Sequence, residues 1–435
     1  MSAPTPILFI VLDGMADRPY RELDSLTPLE TARTPAMDRL AGEGQSGFYY
    51  PLGPGRVPST ELSHFRLFGY GDHPFPGRAC LEALGHGVPC APGDVFSFLA
   101  LRRTVREPGG SYHVVGGYGE EFDDAPAGYE ELDGWQDART GYRFEVFYLG
   151  GGEAALRIRG SDMEPHPCGE VTDSDPFFFT QLPVLKPLPL QSTDRPEAAR
   201  QTADALSRFL SRAAEVFEPR SESRESRLVV SKWTGTFAPL PPFQKLTGIR
   251  GASVASSRLF RGLSRATGMS FVEAPEKYGL PGKLEPALSS LRSGEAGFVH
   301  VHTKAADEAS HAGDLGPKVA AIEELDEALL PLLEIDPERM VLCVTSDHCT
   351  PVGGRTVHWG DSVPLLVRGP HVRIDGVRRY GERSATSGSL GQIGASNVLP
   401  YLLCQADQAH FQGARPSPAA PLGVPASGVP WYPEG

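Results

Sequence analysis

The sequence lacks any excess of positive charge: 54 acidic side chains face 41 basic ones, leaving a formal net charge of −13. A general nucleic-acid or membrane-surface role needs concentrated positive charge, so the balance argues against it. An anionic small molecule needs only a local positive site and stays open. Cysteine is sparse too. The six cysteines (Cys80, Cys90, Cys168, Cys343, Cys349 and Cys404) form no CxxC pair and no zinc-ribbon spacing. No apolar run approaches the roughly 18 residues needed to span a bilayer. The opening MSAPTPILFIVLDG has no basic segment of the kind that starts a signal peptide. These absences predict a cytoplasmic protein with reduced thiols. No internal repeat is present. Glycine (49) and proline (41) are plentiful and predict many turns and long ordered loops.

At 435 residues the chain can hold two domains, or one large domain with an insertion. PILFIVLDG is a short apolar run ending in Asp13, suited to a strand buried on both faces of a parallel sheet. TPAMDRLAGEG predicts a helix with Thr34 as N-cap, Pro35 at its first position and a glycine stop. RLVVSKW, GASVASS, AGFVHVHTK, RMVLCVTSDH and SVPLLVRG read as strands, with the amphipathic helix LGPKVAAIEELDEALLPLLE between two of them. Strands alternating with helices predict an α/β fold with a mostly parallel sheet flanked by helices. Between 96 and 225 the texture changes to Gly-rich turns and alternating strands, then one long helix in DRPEAARQTADALSRFLSRAAEVFE and a linker in SESRESR. The expected organisation is a discontinuous core (1–95 and 226–413) interrupted by a smaller α+β domain (96–225) that covers the substrate. A tail (414–435) with six prolines in 22 residues follows.

Three segments carry candidate chemistry. Asp13 ends the first strand. KAADEASHAGD sets Asp307 and His311 four apart, on one face if helical. TSDHCTPVGGRTVHWGD holds Asp347 and His348 at a strand end, with His358 ten residues on. Singly, each has an ordinary reading as a turn residue or surface pair. Together, three Asp and three His at strand C-termini form a plausible two-metal set. Two metals about 3.5–4 Å apart can clamp a phosphoryl group and lower the pKa of an attacking hydroxyl.

The ordered set VLDG, a Ser/Thr loop, KAADEASHAGD and TSDHCTP with a later His resembles the archaeal-type cofactor-independent phosphoglycerate mutases of the alkaline phosphatase superfamily. LDSLTPLETARTPAMDRLAGEG, FPGRACLEALGHGV and VTDSDP extend the resemblance over most of the core. It implies an alkaline-phosphatase-like core and two divalent metal ions, Mn²⁺ or Zn²⁺ with Mg²⁺ as a further option. It implies neither 2,3-bisphosphoglycerate nor a nucleotide as cofactor. Asp13, Thr60, Asp347 and His348 would hold one metal, and Asp307, His311 and His358 the other. Lys304 would contact the transferring phosphoryl group. The family's usual loop runs small residue, Ser, Asp, two further residues, His. In RVPSTELSHF, counting back from His64 puts the nucleophile on Thr60 rather than Ser59, and the acidic position on Glu61. Thr60 would attack phosphorus in line and form a phosphothreonine enzyme. Ser59 is then a loop hydrogen-bonder, and His64 orients its neighbours rather than binding metal.

The insert departs from that family. Its Asp-Arg-Arg-Ala-Gly-Arg motif is absent where this chain reads VREPGGSYHVVGGYGEEF, and an Arg-Gly-Ala-Gly element is replaced by KWTG at 232–235. Arg102, Arg103, Arg106, Arg139 and Arg143 remain. Arg103, Arg143 and Lys232 are the candidate substrate contacts. Arginine forks suit carboxylate and phosphate, so the departure bears on substrate more than on metal. Three readings stand open: a mutase interconverting 3- and 2-phosphoglycerate; a metal-dependent phosphohydrolase, or a mutase for another phosphorylated or phosphonate metabolite; and a non-catalytic relict. The partner in the first two is a small phosphorylated metabolite, with no nucleic acid and no membrane. The sequence does not specify the oligomeric state.

Overall fold

A computed structural model describes residues 4–160, 165–177, 179, 181–217, 224–418, 421–425 and 430–433. These form two compact units, one running up to His73 and again from Leu240, the other spanning Pro74–Pro239. The chain opens in the first unit with β1 (Ile7–Leu12) and β2 (Gln45–Tyr50). β1 reads ILFIVL and all six side chains are fully buried. An apolar run without polar alternation is what a strand covered on both faces requires. Burying each such side chain contributes on the order of 1.5–3 kcal/mol. The helix Pro35–Gly42 follows with proline in its first turn, but the Thr34 side chain does not cap it. Asp326, on the helix Leu315–Leu329, reaches across instead. Its carboxylate accepts the Ala36 N–H at 3.0 Å and the Met37 N–H at 2.7 Å. A negative charge is favoured at a helix N-terminus, which is why a distant acid can replace a local cap.

The second unit holds β3 (Val95–Arg106), β4 (Tyr112–Gly116), β5 (Trp135–Gln136), β6 (Arg143–Gly150), β7 (Glu153–Arg159) and β8 (Glu225–Thr236). They make one antiparallel sheet in the order β4-β3-β7-β6-β5, with β8 paired to β3. Helices Ala125–Leu132 and Pro196–Phe217 share its core through Tyr129, Phe144, Leu206 and Phe209. This unit is wider than the 96–225 expected. The helix Arg78–His86 packs Ala79, Cys80 and Ala83 against Phe96, Phe98 and Ala155, so the unit begins well ahead of β3. At its far end RLVVSKW lies within β8, which pairs with β3 from Val105↔Glu225 to Val95↔Thr236 instead of joining the core sheet.

The chain returns to the first unit with β9 (Gly251–Ala255), β10 (Ser270–Glu273), β11 (Phe298–Thr303), β12 (Val341–Thr345), β13 (Val363–Arg368) and β14 (Gly391–Gly394). The eight-stranded order is β10-β9-β11-β1-β12-β13-β2-β14, and only β13 runs against its neighbours. β1 lies between β11 and β12, with Ile7 opposite Phe298 and Val341. These three strands are parallel, so their C-terminal ends meet at one edge, where open α/β sheets bind ligands. Part of the Pro-rich tail is fastened to this unit. The Leu422 N–H donates to the Leu246 carbonyl at 2.6 Å, and the Val424 N–H to the Gln408 carbonyl at 2.8 Å. The expected linker lies partly outside the described residues, at 221–223. Among the described residues no helix is long and apolar enough to cross a membrane.

Candidate metal centre

Three strand ends deliver the acids, all within the first unit. β1 leads into Asp13. β12 leads through Ser346 into Asp347 and His348. β11 leads through Lys304 into the helix Ala305–His311, which carries Asp307 and His311 one turn apart. Gly14 makes the turn after Asp13 with φ +63°; a Cβ there would lie 2.5 Å from Thr350 Oγ1 and 2.8 Å from Asp307. Glycine alone leaves that room. RVPSTELSHF supplies Thr60 as the first residue of the helix Thr60–Phe65, with Ser59 extended before it.

Thr60 Oγ1 lies 3.1 Å from His348 Nε2. The same nitrogen is 3.2 Å from Asp13 Oδ1 and 3.2 Å from Asp347 Oδ2. The far side of the ring sets its tautomer. His348 Nδ1 is 3.0 Å from Thr350 Oγ1, and that hydroxyl donates to Asp307 Oδ1 at 2.8 Å. A hydroxyl has one proton to give, so Thr350 must accept from His348. Nδ1 therefore carries the hydrogen and Nε2 presents a bare lone pair. His358 follows the same logic. Its Nδ1 donates to the Pro58 carbonyl at 2.7 Å, leaving Nε2 bare at 3.9 Å from Asp307 Oδ1. The His348 and His358 rings stack at 3.7 Å, and His311 Nε2 is 3.3 Å from Asp307 Oδ2.

Without a cation this arrangement is destabilising. Asp13 Oδ1 and Asp347 Oδ2 are buried with no hydrogen-bond partner among the described residues. Each such atom costs about 1–3 kcal/mol, and more when charged. Burial, and then the Asp307 charge, push the Asp13 carboxyl up to about 7. Burial and then Asp13 raise Asp347 as well. Burial would also raise Asp307, but its bond to His311 and the imidazoles around it prevail and hold it below the usual carboxylate range. Burial, and then His358, hold the His348 imidazole well below its ordinary value. Ligand-type atoms of Asp13, Asp347 and His348 lie within 4.8 Å of one another, as do those of Asp307, His348 and His358. Bare imidazole lone pairs beside carboxylate oxygens fit a divalent cation at each cluster, and at Asp13 and Asp347 one such oxygen of each is unpartnered among the described residues.

Behind this set lie two residues that the sequence reading passed over. In β11 the order His-Val-His places His300 and His302 on one face. His302 Nε2 is 3.0 Å from Asp13 Oδ2, and His300 Nδ1 is 2.9 Å from Ser253 Oγ. His64 Nδ1 donates to the Thr60 carbonyl at 2.8 Å and lies 3.7 Å from Asp347 Oδ2. Phe260 packs on all three rings, with centroids 4.7, 5.4 and 4.1 Å from His64, His300 and His302. Burial pushes all three imidazoles down, His64 to about 3. They are neutral wedges against Asp13 and the Thr60 backbone. Glu61 is buried beside them. Lys304 is half-buried, and its N–H donates to Glu276 at 3.1 Å.

The candidate substrate contacts belong to the second unit. Arg103 is exposed and forks onto Glu120 with two bonds of 2.9 Å. Arg143 is exposed and 4.0 Å from Glu145. Arg102 is buried and bonded to Asp175 at 3.1 and 3.3 Å. Lys232 differs. It is 3% exposed, and its Nζ is 4.0 Å from the Trp233 ring, 4.7 Å from Phe177 and 4.0 Å from Asp175 Oδ2. Arg78 takes the same indole at 3.9 Å. Trp233 has φ +58°, an outlier for a bulky residue, and its N–H donates to Asp173 of VTDSDP at 2.7 Å. Arg78 sits in FPGRACLEALGHGV, but no charge pattern singled it out.

Comparison with known proteins agrees with this chemistry. Residues 5–404 match the metalloenzyme superfamily. A protein from Methanopyrus kandleri described as a 2,3-bisphosphoglycerate-independent phosphoglycerate mutase is 37% identical over 430 residues, covering 94% of this chain and 98% of the relative. One of the same description from Methanosphaera stadtmanae is 31% identical over 423 residues, covering 90% and 96%. A solved Pyrococcus horikoshii structure superposes with TM-score 0.75 at 25% identity, covering 95% of this chain and 100% of the other. The cofactor-independent phosphoglycerate mutase of Thermoplasma acidophilum gives TM-score 0.60 at 28% identity, covering 92% and 99%.

Proposed function

Because this chain belongs to the metalloenzyme superfamily and, within it, to the 2,3-bisphosphoglycerate-independent phosphoglycerate mutases, we propose that it interconverts 3- and 2-phosphoglycerate through a phosphothreonine on Thr60. The observation that carries this reading is the Thr60 hydroxyl, 3.1 Å from the bare His348 Nε2 in a buried set of carboxylates and imidazoles. Asp13, Thr60, Asp347 and His348 would hold one divalent cation, and Asp307, His311 and His358 would hold the other. Mixed oxygen and nitrogen donors without thiolate favour Mn²⁺ or Zn²⁺ over Mg²⁺. Bound cations of this kind acidify a coordinated hydroxyl and offset the charge of a phosphoryl group.

The remaining steps belong to the chain. Thr60 Oγ1 attacks phosphorus, the P–O bond to glycerate breaks, and the proton lost from Thr60 ends on the departing glycerate oxygen. The other glycerate hydroxyl then attacks the phosphothreonine, and the same transfer in reverse regenerates Thr60. His64 pins the Thr60 carbonyl and His302 the Asp13 carboxylate, so the nucleophile and its neighbours keep their geometry through both halves. Lys304 supplies positive charge to the phosphoryl oxygens. Return to glycerate must outrun loss to water.

For the non-transferred end of the substrate, Lys232 is the favoured contact among the sequence-predicted candidates, because Arg102 and Arg103 are already engaged by Asp175 and Glu120. Lys232→Met keeps the volume among Phe98, Phe177 and Trp233 but removes the charge. It is expected to raise KM for 3-phosphoglycerate about 10–100-fold. Arg103→Gln is expected to change KM less than about threefold. Steady-state kinetics of the two variants decide this; a larger effect at Arg103 would reverse the assignment.

The same engaged arginines also favour a second reading, a phosphohydrolase that fails to retain glycerate. Incubating the Mn²⁺-loaded protein with 3-phosphoglycerate separates the two. Formation of 2-phosphoglycerate without matching inorganic phosphate is the expected result. Inorganic phosphate without 2-phosphoglycerate would sink the mutase reading.

A further inference from the structure

One hydroxyl joins the two clusters. We propose that Thr350 is a positioning residue that couples the two cation sites, so that filling either one strengthens the other; this rests on the two-cation reading above. Thr350 Oγ1 accepts from His348 Nδ1, whose ring presents Nε2 3.2 Å from both Asp13 and Asp347, and donates to Asp307 Oδ1. Its place is held from several sides. The Thr350 N–H donates to the Ala16 carbonyl at 3.0 Å, and its own carbonyl accepts from Lys318 Nζ at 2.7 Å. Lys318 is wholly buried and bonded to Asp17 at 2.8 Å. Gly14 leaves open the space the hydroxyl occupies. The backbone that carries the bridge is therefore held on both its N–H and its carbonyl side.

The coupling follows from how hydrogen bonds in series act on one another. When His348 Nε2 is engaged, Nδ1–H becomes a stronger donor to Thr350. A hydroxyl that accepts a stronger bond is itself a better donor, and the bond to Asp307 tightens. That bond fixes the rotation of the carboxylate, which a cation there requires. The effect runs equally in the other direction, because coupling between binding sites is reciprocal. Without the hydroxyl, His348 is also free to take the tautomer whose Nε2 carries hydrogen, and that form cannot bind a cation. Partners one bond beyond metal ligands typically alter affinity by about 10–100-fold.

The test is calorimetric titration of Mn²⁺ into the full-length metal-free protein. The unaltered chain is expected to take two ions with positive cooperativity. Thr350→Val, close in shape but without the hydroxyl, is expected to bind both ions about 10–100-fold more weakly and independently, and Thr350→Ser to restore affinity and cooperativity. Far-UV circular dichroism of the metal-free variants separates this from a loss of fold. A Thr350→Val protein with unaltered affinities and cooperativity would overturn the proposal, as would Thr350→Ser behaving like Thr350→Val. If Thr350→Val does not fold, ¹H–¹⁵N spectra of the unaltered metal-free protein decide: hydrogen on His348 Nδ1 supports the bridge, and hydrogen on Nε2 overturns it. Fewer than two ions on the unaltered chain would overturn the two-cation reading itself, visibly before any substitution is made.

Discussion

Thr60→Ala is expected to lower turnover of 3-phosphoglycerate by about four orders of magnitude or more, the scale at which enzymes lose a covalent nucleophile. Ser59→Ala is expected to stay within about threefold of the unaltered chain. The two hydroxyls are adjacent in sequence but differ in environment. Thr60 Oγ1 lies 3.1 Å from a bare imidazole nitrogen, whereas Ser59 precedes the helix in an extended conformation and its side chain caps nothing. Alanine at 60 leaves the other proposed cation ligands and the backbone carbonyl of residue 60 in place but removes the hydroxyl that would accept phosphorus. Thr60→Ser keeps that atom and should retain activity within about tenfold. A coupled assay for 2-phosphoglycerate gives the rates. Intact-mass measurement after brief exposure to substrate shows whether one phosphoryl group is held on the chain. Loss of activity in Ser59→Ala with survival in Thr60→Ala would move the nucleophile one residue back.

Asp347→Asn is expected to abolish stoichiometric metal binding and lower turnover about a thousandfold or more, yet to stabilise the metal-free protein by about 1–3 kcal/mol. The gain arises because Asp347 Oδ2 and Asp13 Oδ1 are buried acceptors without donors among the described residues, and burial and then the Asp13 charge raise the Asp347 carboxyl. An amide can donate where the carboxylate could only repel. The pH dependence follows. The Asp13 value of about 7 in the fold exceeds the value near 4 of an unfolded Asp. Its contribution is therefore fully present at low pH and is withdrawn as pH rises through about 7. Metal-free protein should lose stability between about pH 4 and 7, and Asp347→Asn should lose less of it. Thermal melts across that range, with and without Mn²⁺, check both statements. A lower melting temperature for metal-free Asp347→Asn would refute the crowded-carboxylate account.

The candidate acids and imidazoles were legible in the sequence because some follow an apolar run that ends abruptly and others repeat at helical spacing. Asp13, Asp347 and His348 stand where a buried strand meets its edge, and Asp307 and His311 repeat at helical spacing. His300 and His302 were not, because histidines alternating with valine look like any half-polar strand. Their role appears only when β11 is set beside β1 and His302 meets Asp13. Thr350 was hidden for a similar reason: a threonine three residues after Asp347 has no signature until its hydroxyl is seen between two distant ligands. The unit boundaries were drawn too narrow because periodicity shows that RLVVSKW is a strand but not which sheet it joins. The helix cap failed likewise, since Thr34 is the right local residue and the donors were taken by Asp326, 290 residues away from Ala36.

The register of β1 has a consequence for how the protein is made. β1 is complete by Leu12, but its two neighbours lie opposite Phe298 and Val341. At roughly 5–20 residues per second, β1 emerges from the ribosome on the order of a quarter of a minute to a minute before either partner exists. The second unit is continuous from Pro74 to Pro239, so all its strands are available before β11 has been translated. A strand whose six side chains all end up buried is thus without its neighbours for most of synthesis, and ILFIVL is a segment of the nascent chain expected to need a chaperone.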